Sequence, residues 1–361
     1  VVGFWADMEN PYVTYENNFI ESEWWALKQI WDKGLLYKGF KVVPYCPRCG
    51  TPLSSHEVAQ GYKDVKEKSA IVKFKVKGED AYFLAWTTTP WTLPSNVALC
   101  VNPVETYVRV RKEGTTYIMA EALVEKVLES DFEILDRFDG KSLEYKEYEP
   151  LFDFVDPKKK AWFVTCDDYV TLTDGTGIVH IAPTFGADDA KVARDASIPA
   201  LYLISKKGET RPMVDLQGKY YTLEELDKNF VSACVDKDAY GKHAGDYVKN
   251  AYNPRFNPDG VWDKKGSEKA EDLNIVLCME MKMAGEAFNI QKHTHNYPHC
   301  WRTDKPVLYY PLDSWFIRTT ACREEMMELN SKINWKPEST GSGRFGKWLE
   351  NLQDWNLSRS R

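Results

Sequence analysis

The chain has 361 residues, 43% of them hydrophobic and 28% charged, with a formal net charge of −7 at pH 7. That length exceeds the usual single-domain range of about 100–200 residues, so two structural units are expected. The composition excludes a disordered or collagen-like chain, and no apolar run approaches the roughly 18–20 residues of a spanning helix. With acid in excess overall, a nucleic-acid partner would have to meet a local basic patch.

The sequence starts Val1-Val2-Gly3-Phe4-Trp5, with no initiator Met and no signal-peptide pattern, and stops directly after an amphipathic stretch. Both ends read as cut from a longer polypeptide. Eight cysteines in a chain this long do not make a disulfide scaffold, so a reducing, cytoplasmic setting is expected.

In chain order, Ile20, Trp24, Leu27 and Trp31 recur at helical spacing, with Asn17 or Asn18 as cap and Gly34 as stop. They predict an amphipathic helix whose aromatics lie in a core. From about residue 69 the period becomes two: Val72, Phe74 and Val76 alternate with lysines. Short β runs follow at 82–86, 107–110, 117–120, 162–166 and 177–181, and strands at that spacing predict a closed or nearly closed barrel. Helical patterns return at 188–194, 223–228 and 268–283, and again after Thr319/Thr320 and through Phe345, Trp348, Leu349 and Leu352. The expected class is α+β, a β-barrel-like domain between helical connecting segments. The expected division is 1–60 as an entry segment, 61–290 as the β-rich domain and 291–361 as an exit segment. Lys158-Lys159-Lys160 reads as a solvated loop.

Three segments could carry chemistry. In Trp86-Thr87-Thr88-Thr89-Pro90-Trp91-Thr92-Leu93-Pro94-Ser95-Asn96, two prolines force the chain out of a strand and leave several hydroxyls at its end. Those hydroxyls could orient a water or cradle a ribose and an ester oxygen; equally, the threonines could serve as strand formers beside a proline-shaped loop. In Asp174–Asp189, a glycine turn feeds a short strand bearing His180, and Asp188/Asp189 open a helix. One aspartate suits the helix dipole, which leaves the other for a substrate ammonium. His180 reads either as a structural core residue or as a contact to substrate. Third, Cys46-Pro47-Arg48-Cys49 is half of a zinc knuckle. Cys300 supplies a third ligand, but position 303 is Thr, so His299 or His295 would have to complete the set. No Walker loop, GxGxxG, GxSxG or HExxH pattern is present, which points to water attack on a bound ester rather than ATP chemistry.

These segments resemble the isoleucyl-tRNA synthetases, class I aminoacyl-tRNA synthetases. The likeness runs over essentially the whole chain: Glu9–Tyr12 through Gly39, Trp86–Asn96, Gly175–Asp189, Tyr297–Leu308, Ser314-Trp315-Phe316 and Arg344–Arg361. Thr89-Pro90-Trp91-Thr92 is the isoleucyl form, whereas leucyl and valyl enzymes carry an Arg-Pro-acid continuation. The resemblance implies the editing insertion, which interrupts a catalytic Rossmann domain and hydrolyses valine mis-attached to tRNA(Ile). The HIGH and KMSKS signatures would lie outside residues 1–361, so ATP and Mg would serve the full-length parent, and editing itself would need no cofactor. Carried over, the editing pocket falls on Thr87, Thr88, Thr89, Trp91, Thr92, Asn96, His180 and Asp189. Asp189 would bind the α-ammonium. Thr87–Thr89 would orient water and the terminal adenosine, while His180, Thr92 and Trp91 would wall out isoleucine. Implied partners are the 3′ aminoacyl end of tRNA(Ile) and valine, with a monomeric state, no membrane and, at Cys46, Cys49 and Cys300, a structural zinc. Two rival readings stand beside this one: an RNA-binding module without turnover, which predicts salt-sensitive binding alone, and a free-standing deacylase.

Overall fold

The computed structural model describes residues 3, 5, 7 and 9–358. Val1, Val2 and Phe4 of the opening stretch and Arg359–Arg361 of the last motif lie outside the described residues. The chain divides into two compact units, one drawn from residues up to Lys41 and from Leu312 onward, the other from Val42–Pro311.

The first unit holds the predicted helix, at Asn17–Asp32, ending before Gly34 with φ +68°. Its cap is Glu16 rather than an asparagine, and no side chain closes the N-terminus. The aromatic stripe is not core: Trp24 is 69% exposed and Trp31 53%. The reason is thin cover: among the described residues this unit adds short helices at Arg323–Ser331, Ser339–Ser342 and Arg344–Glu350, a 3-10 turn at Thr319–Cys322, and strand residues at 36–41 and 312–317, with Phe316/Ile317 paired to Asn356/Trp355. Within it, Trp31 meets Trp315 edge-on at 6.1 Å, and Tyr37 stacks on Phe316 at 5.4 Å.

The second unit is built on a six-stranded sheet. Across it run Ala287–Pro298, Tyr62–Lys75, Tyr82–Thr87, Thr115–Ala120, Thr106–Lys112 and Phe132–Asp139. A three-stranded sheet places Ala98–Val101 between Ile178–Ile181 and Phe163–Cys166. Among the described residues no sheet closes on itself, so the expected barrel is replaced by separate sheets around a shared core. The alternating side chains behave as the period predicts: Val72, Phe74 and Val76 are buried, with Phe83, Leu84, Tyr107, Ile118 and Met119 in the same core. Each such side chain contributes about 1.5–3 kcal/mol when removed from water. Ala98–Val101 is buried along its whole length, as expected of a central strand covered on both faces, and its continuous apolar run hid it from a period-two search. The edge strand Phe132–Asp139 and the long strand Ala287–Pro298 also escaped prediction, the latter because its exposed half alternates polar with polar.

The helix at Ala187–Asp195 and that at Leu273–Met283 follow the sequence patterns, whereas 223–228 resolves into a short 3-10 turn, Leu223–Glu225, and a separate helix beginning at Lys228. Gly177 feeds the His180 strand at φ +73°, and a Cβ there would lie 2.4 Å from the Ala120 Cβ. Gly177→Ala therefore combines left-handed strain with overpacking. It is expected to cost about 2–4 kcal/mol, read as a lowered thermal midpoint; a midpoint equal to that of the parent would contradict this account. No described helix is long and apolar enough to cross a membrane.

Candidate active site

The strand Tyr82–Thr87 ends where Pro90 begins a 3-10 helix, Pro90–Ser95, and every residue of that helix is buried. Immediately after the neighbouring sheet's strand, Ile178–Ile181, Ala182 donates its amide to Asp189 Oδ2 at 2.8 Å. The Thr-rich turn and the His180 strand meet side by side. His180 Nε2 lies 3.1 Å from Thr92 Oγ1 and 3.4 Å from Thr87 Oγ1. Thr89 Oγ1 lies 3.4 Å from Thr92 Oγ1, and the Thr89 amide donates to Thr87 Oγ1 at 3.0 Å.

Counting protons assigns the directions. The Thr92 hydroxyl donates to the Thr89 carbonyl at 2.8 Å, so its contact with His180 requires Nε2–H as donor. Nδ1 is then a bare acceptor, and it has no partner among the described residues. Burial pushes His180 down to about 4, so the ring is neutral at neutral pH. The hydroxyl protons left without a committed acceptor are those of Thr87 and Thr89. Thr88 is half-buried and makes no side-chain hydrogen bond among the described residues.

Asp189 is partly exposed yet surrounded by protein. Desolvation raises its carboxyl to about 7, against the lowering effect of the Ala182 amide, while Asp188 adds to the rise. Gly186 packs so closely that a Cβ would fall 2.7 Å from the Asp189 carboxyl carbon. A carboxylate in such a place has little water and, among the described residues, no ion-pair partner, so an arriving ammonium would find it incompletely solvated.

Trp91 is 3% exposed and packs edge-on against Phe185 at 4.9 Å. Its backbone is held from both sides: the amide donates to Asn274 Oδ1 at 3.0 Å, and Tyr220 donates its hydroxyl to the carbonyl at 2.7 Å. Asn96 differs from the other predicted site residues. Its amide donates to the Ala98 carbonyl at 2.8 Å, and its oxygen accepts from Tyr148 at 2.6 Å, so it fastens the end of the turn to the core and is not joined to the Thr–His cluster. Asn274, Tyr220 and Tyr148 were missed because they lie 52 to 183 residues away in sequence and carry no local motif. Phe185 lies inside the predicted Asp174–Asp189 segment but gave no signal as an apolar residue.

The sulfurs of Cys46, Cys49 and Cys300 all lie within 4.8 Å of one another, and Cys49 and Cys300 are 3.7 Å apart. Thiolates at about 2.3 Å around one tetrahedral ion would be separated by about 3.8 Å, so this group can hold a metal. Neither proposed histidine completes it. His299 Nδ1 donates to the Tyr297 carbonyl at 2.9 Å, and His295 faces Glu67 at 3.5 Å. Among the described residues the group contains three cysteines, with the Thr303 hydroxyl 3.5 Å from Cys46 Sγ.

The family model described as "tRNA synthetases class I (I, L, M and V)" matches residues 1–361. The chain belongs to this family. Over its full length it is 55% identical to an isoleucine–tRNA ligase of Bacteroides thetaiotaomicron and 50% identical to those of Porphyromonas gingivalis and Clostridium novyi. It spans only 35%, 34% and 30% of those proteins, about a third of their length. Among solved structures, the cytosolic leucyl-tRNA synthetase editing domain of P. knowlesi is similar over 42% of this chain and 76% of its own, at 14% identity and a TM-score of 0.33. That of P. falciparum matches over 40% and 77%, at 12% identity and a TM-score of 0.31.

Proposed function

We propose that the chain is the proofreading unit of an isoleucine–tRNA ligase and hydrolyses the ester linking valine to tRNA(Ile). The observation that carries this reading is the cluster of buried Thr87, Thr92 and neutral His180 with half-buried Thr89, beside the segment that holds the desolvated Asp189. A pocket that admits isoleucine gains only about 1–3 kcal/mol against valine from one methylene, isoleucine–valine selection being the reference case of that limit, so a second, smaller site is needed.

In the proposed reaction Asp189, as carboxylate, holds the α-ammonium of the valyl group. The free hydroxyl protons of Thr87 and Thr89, with Thr88 beside them, position a water and the terminal adenosine. The water oxygen bonds to the ester carbonyl carbon, the bond from that carbon to the ribose oxygen breaks, and the ribose oxygen takes a proton. Free valine and tRNA leave. His180, a weak base when buried, and Thr92 form the side-chain wall, with Trp91 behind it. Catalysis by positioning fits a site with no group poised as a strong base. ATP and Mg belong to the activation step of the longer ligase; monomeric state and cytoplasmic location are part of the same proposal.

Incubating the chain with valyl-tRNA(Ile) and isoleucyl-tRNA(Ile) tests the reading, with release of free amino acid followed in each. Valine released and isoleucine retained is the expected result. Binding of both RNAs with no release from either would overturn it in favour of a binding module.

The cysteine group is proposed as a structural zinc site, in which Cys46, Cys49 and Cys300 supply thiolates. The protein is expected to purify with about one zinc per chain, to lose thermal stability on chelation, and to lose the metal in Cys300→Ser. Metal analysis showing no zinc in protein prepared with zinc supplied would remove the site.

A further inference from the structure

The cavity of about 310 Å³ beside the cysteine loop has Arg48, Gln217, Tyr247, Asn257, Gly260 and Lys305 in its lining. It is set apart by an imbalance of charge. Lys305 is 5% exposed; its ammonium donates to Asn257 Oδ1, a neutral acceptor, and lies 5.7 Å from the centre of the Trp262 ring. Arg48 makes one weak contact, a 3.4 Å hydrogen bond to the Gly260 carbonyl. Among the described side chains neither cation has a carboxylate within ion-pair distance. Among the described side chains, Asp215 is paired with Lys219 at 3.6 Å, and Asp304 with Lys63 and Lys264. The negative groups beside Lys305 are the sulfurs of the cysteine group, whose Cys300 amide donates to the Lys305 carbonyl at 2.8 Å; Arg48 and Lys305 repel each other across the cavity, so an anion between them would relieve both.

Other features of the cavity fit an anionic guest of some size. Arg48 brings a planar fork and Lys305 a point charge, the pair of donors suited to a phosphate. The Gln217 side-chain amide and the Tyr247 hydroxyl have no hydrogen bond among the described residues and stand ready as further partners. Asn257 is locked in place, its amide donating to the Ala251 and Asn253 carbonyls at 3.2 and 2.7 Å, so Lys305 is held where it is. The volume exceeds that of a lone phosphate, and Tyr247 brings an aromatic ring to the lining, the kind of side chain on which bases stack.

We propose that this cavity is a nucleotide-phosphate site, distinct from the Thr–His pocket, in which Arg48 and Lys305 take the phosphate and Tyr247 the attached nucleoside. The phosphate can belong to an RNA strand or to a free nucleotide. The site stands independently of the hydrolytic reading and adds a second contact if that reading holds.

The test measures binding of adenosine 5′-monophosphate, inorganic phosphate and adenosine to the full chain, zinc content being followed throughout. Adenosine monophosphate is expected to bind and raise the thermal midpoint, phosphate to bind more weakly and adenosine not at all. Lys305→Met is expected to lower nucleotide affinity about 10-fold or more, because the anion loses a buried partner, while raising the midpoint of the free protein. Arg48→Gln lowers the affinity without altering the fold, which guards against loss of binding through unfolding. A hairpin RNA that displaces the nucleotide identifies a strand as the occupant. An RNA that does not displace it identifies the free nucleotide, and the phosphate site stands in either case. The proposal is overturned if nucleotide affinity is unchanged in both variants, or if Lys305→Met lowers the midpoint and zinc content, which would make Lys305 the counter-ion of the cysteine group. Failure of the hydrolytic reading would show separately, as the absence of valine release.

Discussion

Asp189→Ala is expected to lower the rate of valine release about 100-fold or more, since removing one partner of a desolvated charged pair costs about 2–5 kcal/mol. The same carboxyl sets the pH response. In the free protein it titrates near 7, and only the carboxylate attracts an ammonium, so kcat/KM for valyl-tRNA(Ile) should rise with pH through about 7 on the acid side. Stability moves the other way. The folded value lies above the ordinary carboxylate value of 3.8, so the acid form suits the fold. No penalty exists below about pH 4; it grows as pH rises and is complete above about 7. Asp189→Asn keeps an oxygen for the Ala182 amide and removes the charge. It should therefore be inactive yet more stable than the parent at pH 8, by on the order of a few kcal/mol, and equal to it near pH 4. Thermal melts at the two pH values, run beside the hydrolysis assay, check both halves. A variant less stable at pH 8 would show that the carboxylate is already paired in the free protein.

His180→Ala is the second large effect. The ring and Thr92 form the wall of the proposed sieve, and isoleucine exceeds valine by one methylene. Removing an imidazole frees more room than that, so isoleucyl-tRNA(Ile) should become a substrate within about 10-fold of valyl-tRNA(Ile). The measurement is the ratio of the two release rates; if the variant releases valine alone, as the parent is expected to, the wall lies elsewhere. Buried His180 also carries an acid sensitivity. Its folded value is about 4 against 6.5, so its contribution is present above pH 6.5 and is lost as pH falls toward 4. The alanine variant should lack that part of the acid unfolding, although the cavity left behind costs about 2 kcal/mol or more at neutral pH.

The Thr-rich turn and the His180 strand were legible because their signals are local. Three threonines before two prolines must leave a strand, and Gly175 and Gly177, both at positive φ, mark the turn that starts the next one. The exposed Trp24 and Trp31 mark the limit of such reasoning: periodicity says which side chains share a face, and nothing about what covers it. The α+β class holds, while among the described residues no sheet closes on itself, since strand spacing does not decide whether a sheet closes or splits.

By itself, then, the sequence determined where the chain turns, which side chains alternate and which motifs place it among the class I tRNA synthetases. Only the tertiary structure decided how those pieces meet. It gave His180 its two threonine neighbours, took Asn96 out of the cluster and into the core, and clamped Trp91 between Asn274 and Tyr220. It also raised the Asp189 carboxyl and left Lys305 buried without a carboxylate. These are consequences of desolvation and of contacts between residues tens to hundreds of positions apart, and neither quantity exists until the chain has folded.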